Sequence, residues 1–556
     1  MSKKFLGTSR KDEEEAFGRI VKLVDSNIAA ARKSLADVRN DLDDIRGTYD
    51  LDEKEGLALW FNAAARIRQA ENDLRLKERA KGKPYFGRID IVEDGSEDEE
   101  TFYIGRTDIS KDLSEIVVMD WRSPAASSYY EQHLGKCNYF VPGVGRRSLD
   151  LKRKRTYEFE DGKLKDYYDT EVVANDELLT KYLSKNKKTV LGEIIATIQQ
   201  EQNEVIRRNP HHNVLIQGSA GSGKTTVAMH RISYILYNYE TEFAPKDFYV
   251  IGSNKVLLNY ITGVLPDLDV VGISQMTMED LFVRLLYEIW VDNPQEIKPL
   301  DKSDIAVGIK SGSKWFEDLC AFASEKLYER LVTDDIVLEV SDSTVMKTDE
   351  IKKELDSLNN PTFVEACERL TDILMSRVEP LIESKSYVLE KQERTKLLNR
   401  YKKYFTRLKT KQNLYSLYDE FVNAQIDRGY KCVYEKGNYD LYDLASMAYL
   451  YKVLYETQVI REATHVVIDE AQDFGIAAYA SLKYCLSKCT FTIMGDVAQN
   501  INFGCGLGDW EELKKLMLPD PYDYFGLLRK SYRNTIEISE FATNILRHGT
   551  FPIYPV

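Results

Sequence analysis

The stretch VLIQGSAGSGKTTVAMHRI, residues 214–232, restricts the fold more than any other part of the chain. A short apolar run leads into G-x-x-x-x-G-K-T from Gly218 to Thr225, and an amphipathic helical pattern follows. Glycines at that spacing let successive backbone N–H groups face one anion, and the helix that begins there adds its positive end. The loop Gly218, Ser219, Ala220, Gly221, Ser222, Gly223, Lys224, Thr225 and Thr226 is therefore expected to cradle a nucleoside triphosphate. Lys224 would reach the β- and γ-phosphates, and the Thr225 hydroxyl would hold Mg²⁺. Such a loop requires a strand before it and a helix after it, which sets an α/β fold with a parallel sheet and ligand at the carboxyl ends of its strands.

Further strands of that sheet are predicted in DFYVIGSN (247–254), THVVIDEAQDF (464–474) and CTFTIMGDVAQN (489–500). The second of these brings Asp469 and Glu470 to a strand end. Asp469 suits a second Mg²⁺-side carboxylate and Glu470 a group that orients or deprotonates water. The third brings up Gln499, whose amide can donate to a γ-phosphate and accept from water.

Other parts of the chain differ in pattern. Phe17, Val21, Val24, Ile28, Ala31, Leu35, Val38, Leu42 and Ile45 recur at steps of four and three, a coiled-coil seam. Leu57, Phe61, Ala64, Ile67 and Leu74 form a looser second stripe. Together they predict an antiparallel hairpin about 50 Å long. Its turn, NDLDDIRGTYDLDEKEG, carries Asp41, Asp43, Asp44, Asp50, Asp52, Glu53 and Glu55. It reads either as a solvated turn with helix-capping acids or as an acidic probe. Residues 84–175 read as short strands, with EDGK (160–163) a hairpin turn. DWRSPAASSYYE (120–131) has no chemistry derivable from its residues. Residues 291–430 are charged and mainly helical, an insertion in the α/β pattern.

The chain of 556 residues has 90 acidic against 76 basic residues, a net charge of −14, which argues against wrapping nucleic acid by phosphate neutralisation. It has no run of about 18 apolar residues, no secretory signal and no C-x-x-C pair. A cytoplasmic monomer without membrane association is expected.

In this order, AGSGKT, VVIDEAQD, GDVAQ and SYRNTIEI resemble UvrD-like superfamily-one motors, which implies a RecA-like P-loop NTPase using ATP and Mg²⁺. The resemblance implies that Gln202 in TIQQEQNEVIR reads adenine, that Arg231 and Tyr532 stack on it, and that Arg533 is the charge-neutralising finger at the γ-phosphate. PYFGRIDI, YIGRTDI, MDWRSPAASSYYE, LKRKRTY and ATIQQEQNEVIRRN further resemble the HelD-type RNA polymerase-recycling ATPases. That resemblance implies binding to core RNA polymerase, with the hairpin in its secondary channel and a clamp arm in its primary channel, and release of the enzyme from nucleic acid. It gives the divisions 1–83 hairpin, 84–189 β-rich module, 190–290 and 431–520 the two parts of the RecA-like domain, 291–430 clamp-arm-like insertion, and 521–556 the start of a second RecA-like domain. The pattern stops short of that domain's later motifs, so a truncated second domain and impaired hydrolysis are expected. A UvrD-like 3′-to-5′ DNA helicase is the alternative, against which Gly252 stands where a DNA-gripping aromatic is expected. A non-hydrolysing polymerase-binding factor is the second alternative.

Overall fold

The computed structural model describes residues 9–48, 54–111, 115–131, 133–160, 162–169, 198–301, 303–384, 390–408, 413–432, 435–456, 463–500, 504–531, 535–549, 552 and 554. Two compact units emerge. The first is Met1–Arg208, Thr226–Pro245 and Ile261–Val271; the second is Asn209–Thr225, Lys246–Tyr260 and Gly272–Val556.

The first unit opens on an antiparallel helical hairpin, α1 (Arg10–Thr48) and α2 (Lys54–Ala80). Val24, Ile28, Ala31, Leu35 and Val38 are buried along α1, as the heptad steps require. Toward the N-terminus the buried stripe shifts by one residue: Ala16 and Ile20 are buried, while Phe17 and Val21 are only half-buried. Ala16 and Ile20 share a core with Tyr85, Tyr103, Val118 and Tyr157 of the neighbouring sheet. In α2 the expected stripe also moves. Leu57 and Phe61 are exposed, while Ala63 and Ala80 are buried. Asp50, Asp52 and Glu53 lie outside the described residues.

The sheet beside the hairpin is mixed. Its strands are β1 (Gly87–Glu93), β2 (Glu99–Gly105), β3 (Ile109–Ser110), β4 (Ile116–Asp120), β5 (Gly135–Val141), β6 (Gly145–Glu160) and β7 (Lys163–Asp169). The order is β3-β4-β2-β1-β6-β5, with β7 also on β6. The sixteen-residue β6 is long enough to pair with β5 near its start and β7 near its end, and with β1 along its other edge. The turn into β7 carries Gly162 at φ 70°, a left-handed value that favours glycine. Helix α3 (Gln200–Ile206) and most of α4 (Lys224–Asn238) belong to this unit.

The second unit is built on a six-stranded, wholly parallel sheet. Its strands are β8 (Val214–Gly218), β9 (Phe248–Gly252), β10 (Ser274–Thr277), β15 (His465–Ile468), β16 (Thr490–Gly495) and β17 (Tyr524–Leu528), in the order β10-β9-β15-β16-β8-β17. The short strands β11 (Glu296–Ile297), β12 (Ile336–Leu338), β13 (Ser343–Met346) and β14 (Asn438–Tyr439) form two small separate sheets. Two strands of the main sheet, β10 and β17, were not expected. The pairing of β17 with β8 corrects the boundary after residue 520, since Tyr524–Leu528 completes the same sheet. The helical insertion differs from a free-standing arm as well. Helices Ser313–Leu331, Phe363–Glu383 and Leu414–Asp427 bury Trp315, Leu370, Leu374 and Phe421 in one core with Ile251, Leu444 and Ile468. A charged, mainly helical pattern permits either arrangement; the continuous buried face shows packing. Among the described residues, no helix is long and apolar enough to cross a membrane.

Candidate functional site

Three strands of the second sheet, β8, β15 and β16, end at one edge, and the glycine loop, Asp469, Glu470 and Gln499 sit just beyond them. β8 runs into the glycine loop, whose tight path needs Gly221 at φ 78° and Gly223 at φ 84°. Gly218 has no room for a side chain: a Cβ there would lie 2.6 Å from Ser222 Oγ and 2.7 Å from Lys224 Cγ. The Lys224 ammonium is buried and donates to the Gly218 carbonyl at 3.0 Å. Ser219 Oγ is buried without a hydrogen-bond partner among the described residues. A bare cradle of amides, a lysine and an unanswered hydroxyl match the donor set a triphosphate accepts.

β15 delivers Asp469, which is fully buried. It accepts from the Thr225 hydroxyl, a residue 244 positions earlier, and from the Glu470 amide at 2.9 Å. Burial pushes its carboxyl up to about 6, Glu470 adds to this, and the Thr225 hydroxyl and Lys224 oppose it. A hydroxyl and a carboxylate brought together beside a lysine suit a hard divalent cation such as Mg²⁺. Glu470 holds φ 50° and ψ 44°. Left-handed backbone is unusual for glutamate and is found where surrounding structure enforces it, often at functional sites. Gln472 Nε2 donates to the Glu470 carboxylate at 2.9 Å.

β16 delivers Asp496 and Gln499. Gln499 is exposed, and its Nε2 donates to Asp496 Oδ2 at 2.7 Å. Asp496 is also held by Gln217 Nε2 at 2.8 Å, while Gln217 Oε1 accepts from Trp510 Nε1 at 2.7 Å. A cavity of about 300 Å³ adjoins this edge, lined by Ser219, Ala220, Gln499, Leu527 and Leu546 among others. It does not include Lys224, Thr225 or Asp469. Mostly aliphatic walls make it a neighbour of the anion cradle and not the cradle itself.

The residues assigned to the base behave differently. Arg231 is fully buried, and its Nη1 donates to the carbonyls of Val205 at 3.0 Å, Ile206 at 3.3 Å and Arg208 at 2.7 Å. Its guanidinium closes the C-terminal end of α3, where the last carbonyls of a helix need donors. Gln202 lies in the first turn of α3, where its Oε1 accepts from the Gln199 amide at 3.2 Å. Tyr532 and Arg533 lie outside the described residues.

DWRSP acquires a physical meaning within the first unit. Arg122 donates twice to Asp120, at 2.8 and 2.6 Å, and lies 4.7 Å over the Tyr237 ring. The carbonyls of Trp121 and Ser123 accept from Arg207, and Trp121 meets the His230 ring edge-on. The motif fastens α4 and the end of α3 to the mixed sheet. No local signal reveals this, because the partners lie more than 80 residues away.

The fold is thus mixed α/β, combining a helical hairpin, a mixed sheet and a parallel sheet with acidic groups at its carboxyl edge. Residues 10–182 match the family model described as "DNA helicase IV HelD, N-terminal domain". This part of the chain is therefore similar to the N-terminal domain of a helicase-related family. No curated protein matches the chain.

Proposed function

We propose that this chain is an ATP-binding motor of the UvrD-like, RecA-like P-loop type that acts on RNA polymerase and releases it from nucleic acid. The observation that carries the nucleotide part is the meeting of Thr225 and Asp469 beneath the glycine loop. In this reading Lys224 and the loop amides hold the triphosphate, and Thr225 and Asp469 hold Mg²⁺. The bound cation offsets charge developing on the phosphates. Glu470 orients the attacking water or takes its proton, and Gln499 reports the γ-phosphate. The polymerase part rests on similarity of residues 10–182 to the HelD N-terminal domain and on the motif resemblance along the rest of the chain. The hairpin enters the secondary channel and the 291–430 segment acts at the primary channel.

Co-elution with core RNA polymerase tests the partner. Deleting residues 1–80 is a poor control, because Ala16, Ile20 and Ala80 complete the core of the neighbouring sheet. A variant lacking residues 41–62, with the shortened helices joined by a turn, keeps that core. Co-elution that weakens in the shortened protein supports the reading. Binding to single-stranded DNA without binding to polymerase would replace it with the DNA-translocating alternative. Binding of Mg²⁺ and a fluorescent ATP analogue that Lys224→Ala abolishes tests the nucleotide part.

A further inference from the structure

Gln472 sits inside the DEAQD turn with almost no exposure. Its side-chain amide is used at both ends. Nε2 donates to Glu470 Oε2 at 2.9 Å, and Oε1 accepts from the Asp496 backbone amide at 2.9 Å. Asp496 in turn accepts from Gln499 Nε2 at 2.7 Å. A continuous hydrogen-bonded line therefore runs from the Glu470 carboxylate, through one glutamine, to the turn that carries Gln499.

The surroundings fix that line. A Cβ on Gly495 would lie 2.6 Å from Gln472 Oε1 and 2.9 Å from the Trp510 ring, so strand β16 must end in glycine for the amide to reach it. The Gln472 carbonyl accepts from the Leu507 amide at 2.9 Å, and a Cβ on Gly506 would lie 2.5 Å from that carbonyl oxygen. Gln217, itself held by Trp510, holds Asp496 from the other side. A rotamer change at Gln472 would break bonds at both ends together. Alanine and leucine supply neither donor nor acceptor at this position, and an ionised glutamate supplies no donor.

The geometry points to Gln472 as a positioning residue that aims the Glu470 carboxylate and ties its placement to the Gln499 turn. This rests on the nucleotide reading proposed above. When Gln499 follows a γ-phosphate, Asp496 is pulled with it, and Gln472 passes the displacement to the group that handles water. Neither Gln472 nor its link needs to touch nucleotide.

The test compares wild type, Gln472→Leu, Gln472→Glu and Gln499→Ala. The first readout is the ratio of dissociation constants for Mg²⁺–ADP and for Mg²⁺ with a non-hydrolysable ATP analogue. Gln472→Leu should lower this preference toward that of Gln499→Ala. The second readout is hydrolysis, in which Gln472→Leu should reduce kcat about tenfold or more with KM within about twofold. Gln472→Glu keeps the acceptor for the Asp496 amide and sets a second carboxylate against Glu470. Its acid limb should therefore move to higher pH, with activity partly recovered there. Retention of the wild-type preference and pH profile by both variants overturns the inference. So does a loss that is equal at every pH and falls on KM and thermal midpoint, which would make Gln472 a packing residue. A wild-type protein with no affinity for either nucleotide overturns the nucleotide reading itself.

Discussion

Glu13 in the first unit accepts from Arg88 Nη1 at 2.7 Å, Arg155 Nη1 at 2.6 Å and the Tyr157 hydroxyl at 2.7 Å. Asp469 in the second is equally buried but is met by one hydroxyl and one backbone amide. The rest of each cluster follows suit. Asp90 accepts from Arg88 and Thr101, and Asp169 takes the other side of Arg155. Around Asp469 the nearest partners carry hydroxyls and amides, with Lys224 turned to a carbonyl. Charges that neutralise one another inside a sheet hold structure. A buried carboxylate without a guanidinium partner raises the energy of the metal-free state and suits a cation to come.

That contrast breaks most visibly at Glu13. Glu13→Ala leaves Arg88 and Arg155 with one carboxylate partner each, Asp90 and Asp169, and the Tyr157 hydroxyl without its acceptor, and should cost about 3–5 kcal/mol in urea unfolding of the first unit. A loss under about 1 kcal/mol would remove the anchoring role.

A second test uses proton uptake. Burial lowers His230 to about 4, with Arg106 adding to this and the Thr226 carbonyl opposing it. The unfolded chain then binds the proton more tightly. Stability should be lost as pH falls from about 6.5 toward about 4, by up to about 3 kcal/mol. His230→Phe should flatten that slope in thermal melts.

Asp469 has the opposite sign. Its folded carboxyl is raised to about 6, so the folded state holds the proton more tightly. Its contribution is greatest below about 4 and is lost as pH rises to about 6. In Mg²⁺-free buffer at pH 7.5, Asp469→Asn should therefore gain about 2 kcal/mol over wild type, and the gap should close as pH falls through that window. The same variant should lose stabilisation by Mg²⁺ with nucleotide. A destabilised Asp469→Asn would place this carboxylate with the structural set.

The smallest effect belongs to the exposed pairs of the hairpin. Arg39 and Glu71 meet at 2.6 Å with both side chains about half exposed. A double-mutant cycle should give about 0.5 kcal/mol or less, reduced further by salt.

What the sequence disclosed follows the range of the interactions. The glycine loop, the seam from Val24 to Val38 and strands β8, β9, β15 and β16 are local patterns, readable within a dozen residues. Glu13 was not readable, because an acid in a first helical turn is normally a dipole partner. Its burial depends on Arg155, 142 residues away. SQMT and YFGLL are too short to show a period, and only the neighbouring strands make them β10 and β17. The helix-capping place of Arg231 was not readable for a related reason: position relative to a motif does not tell where a guanidinium finds its acceptors. The Gln217–Asp496–Trp510 set joins residues 279 and 293 positions apart, beyond any local signal.

The strand order also sets a timetable. β8 pairs only with β16 and β17, so its two neighbours are synthesised after the entire helical segment. At roughly 5–20 residues per second, on the order of 15 to 50 seconds separate β8 from its first partner strand. During that interval a wholly apolar edge, VLI, waits on the ribosome with both sides open. Chaperone capture of nascent chains should therefore peak at lengths between β8 and β16, and a chain released there should aggregate through this strand.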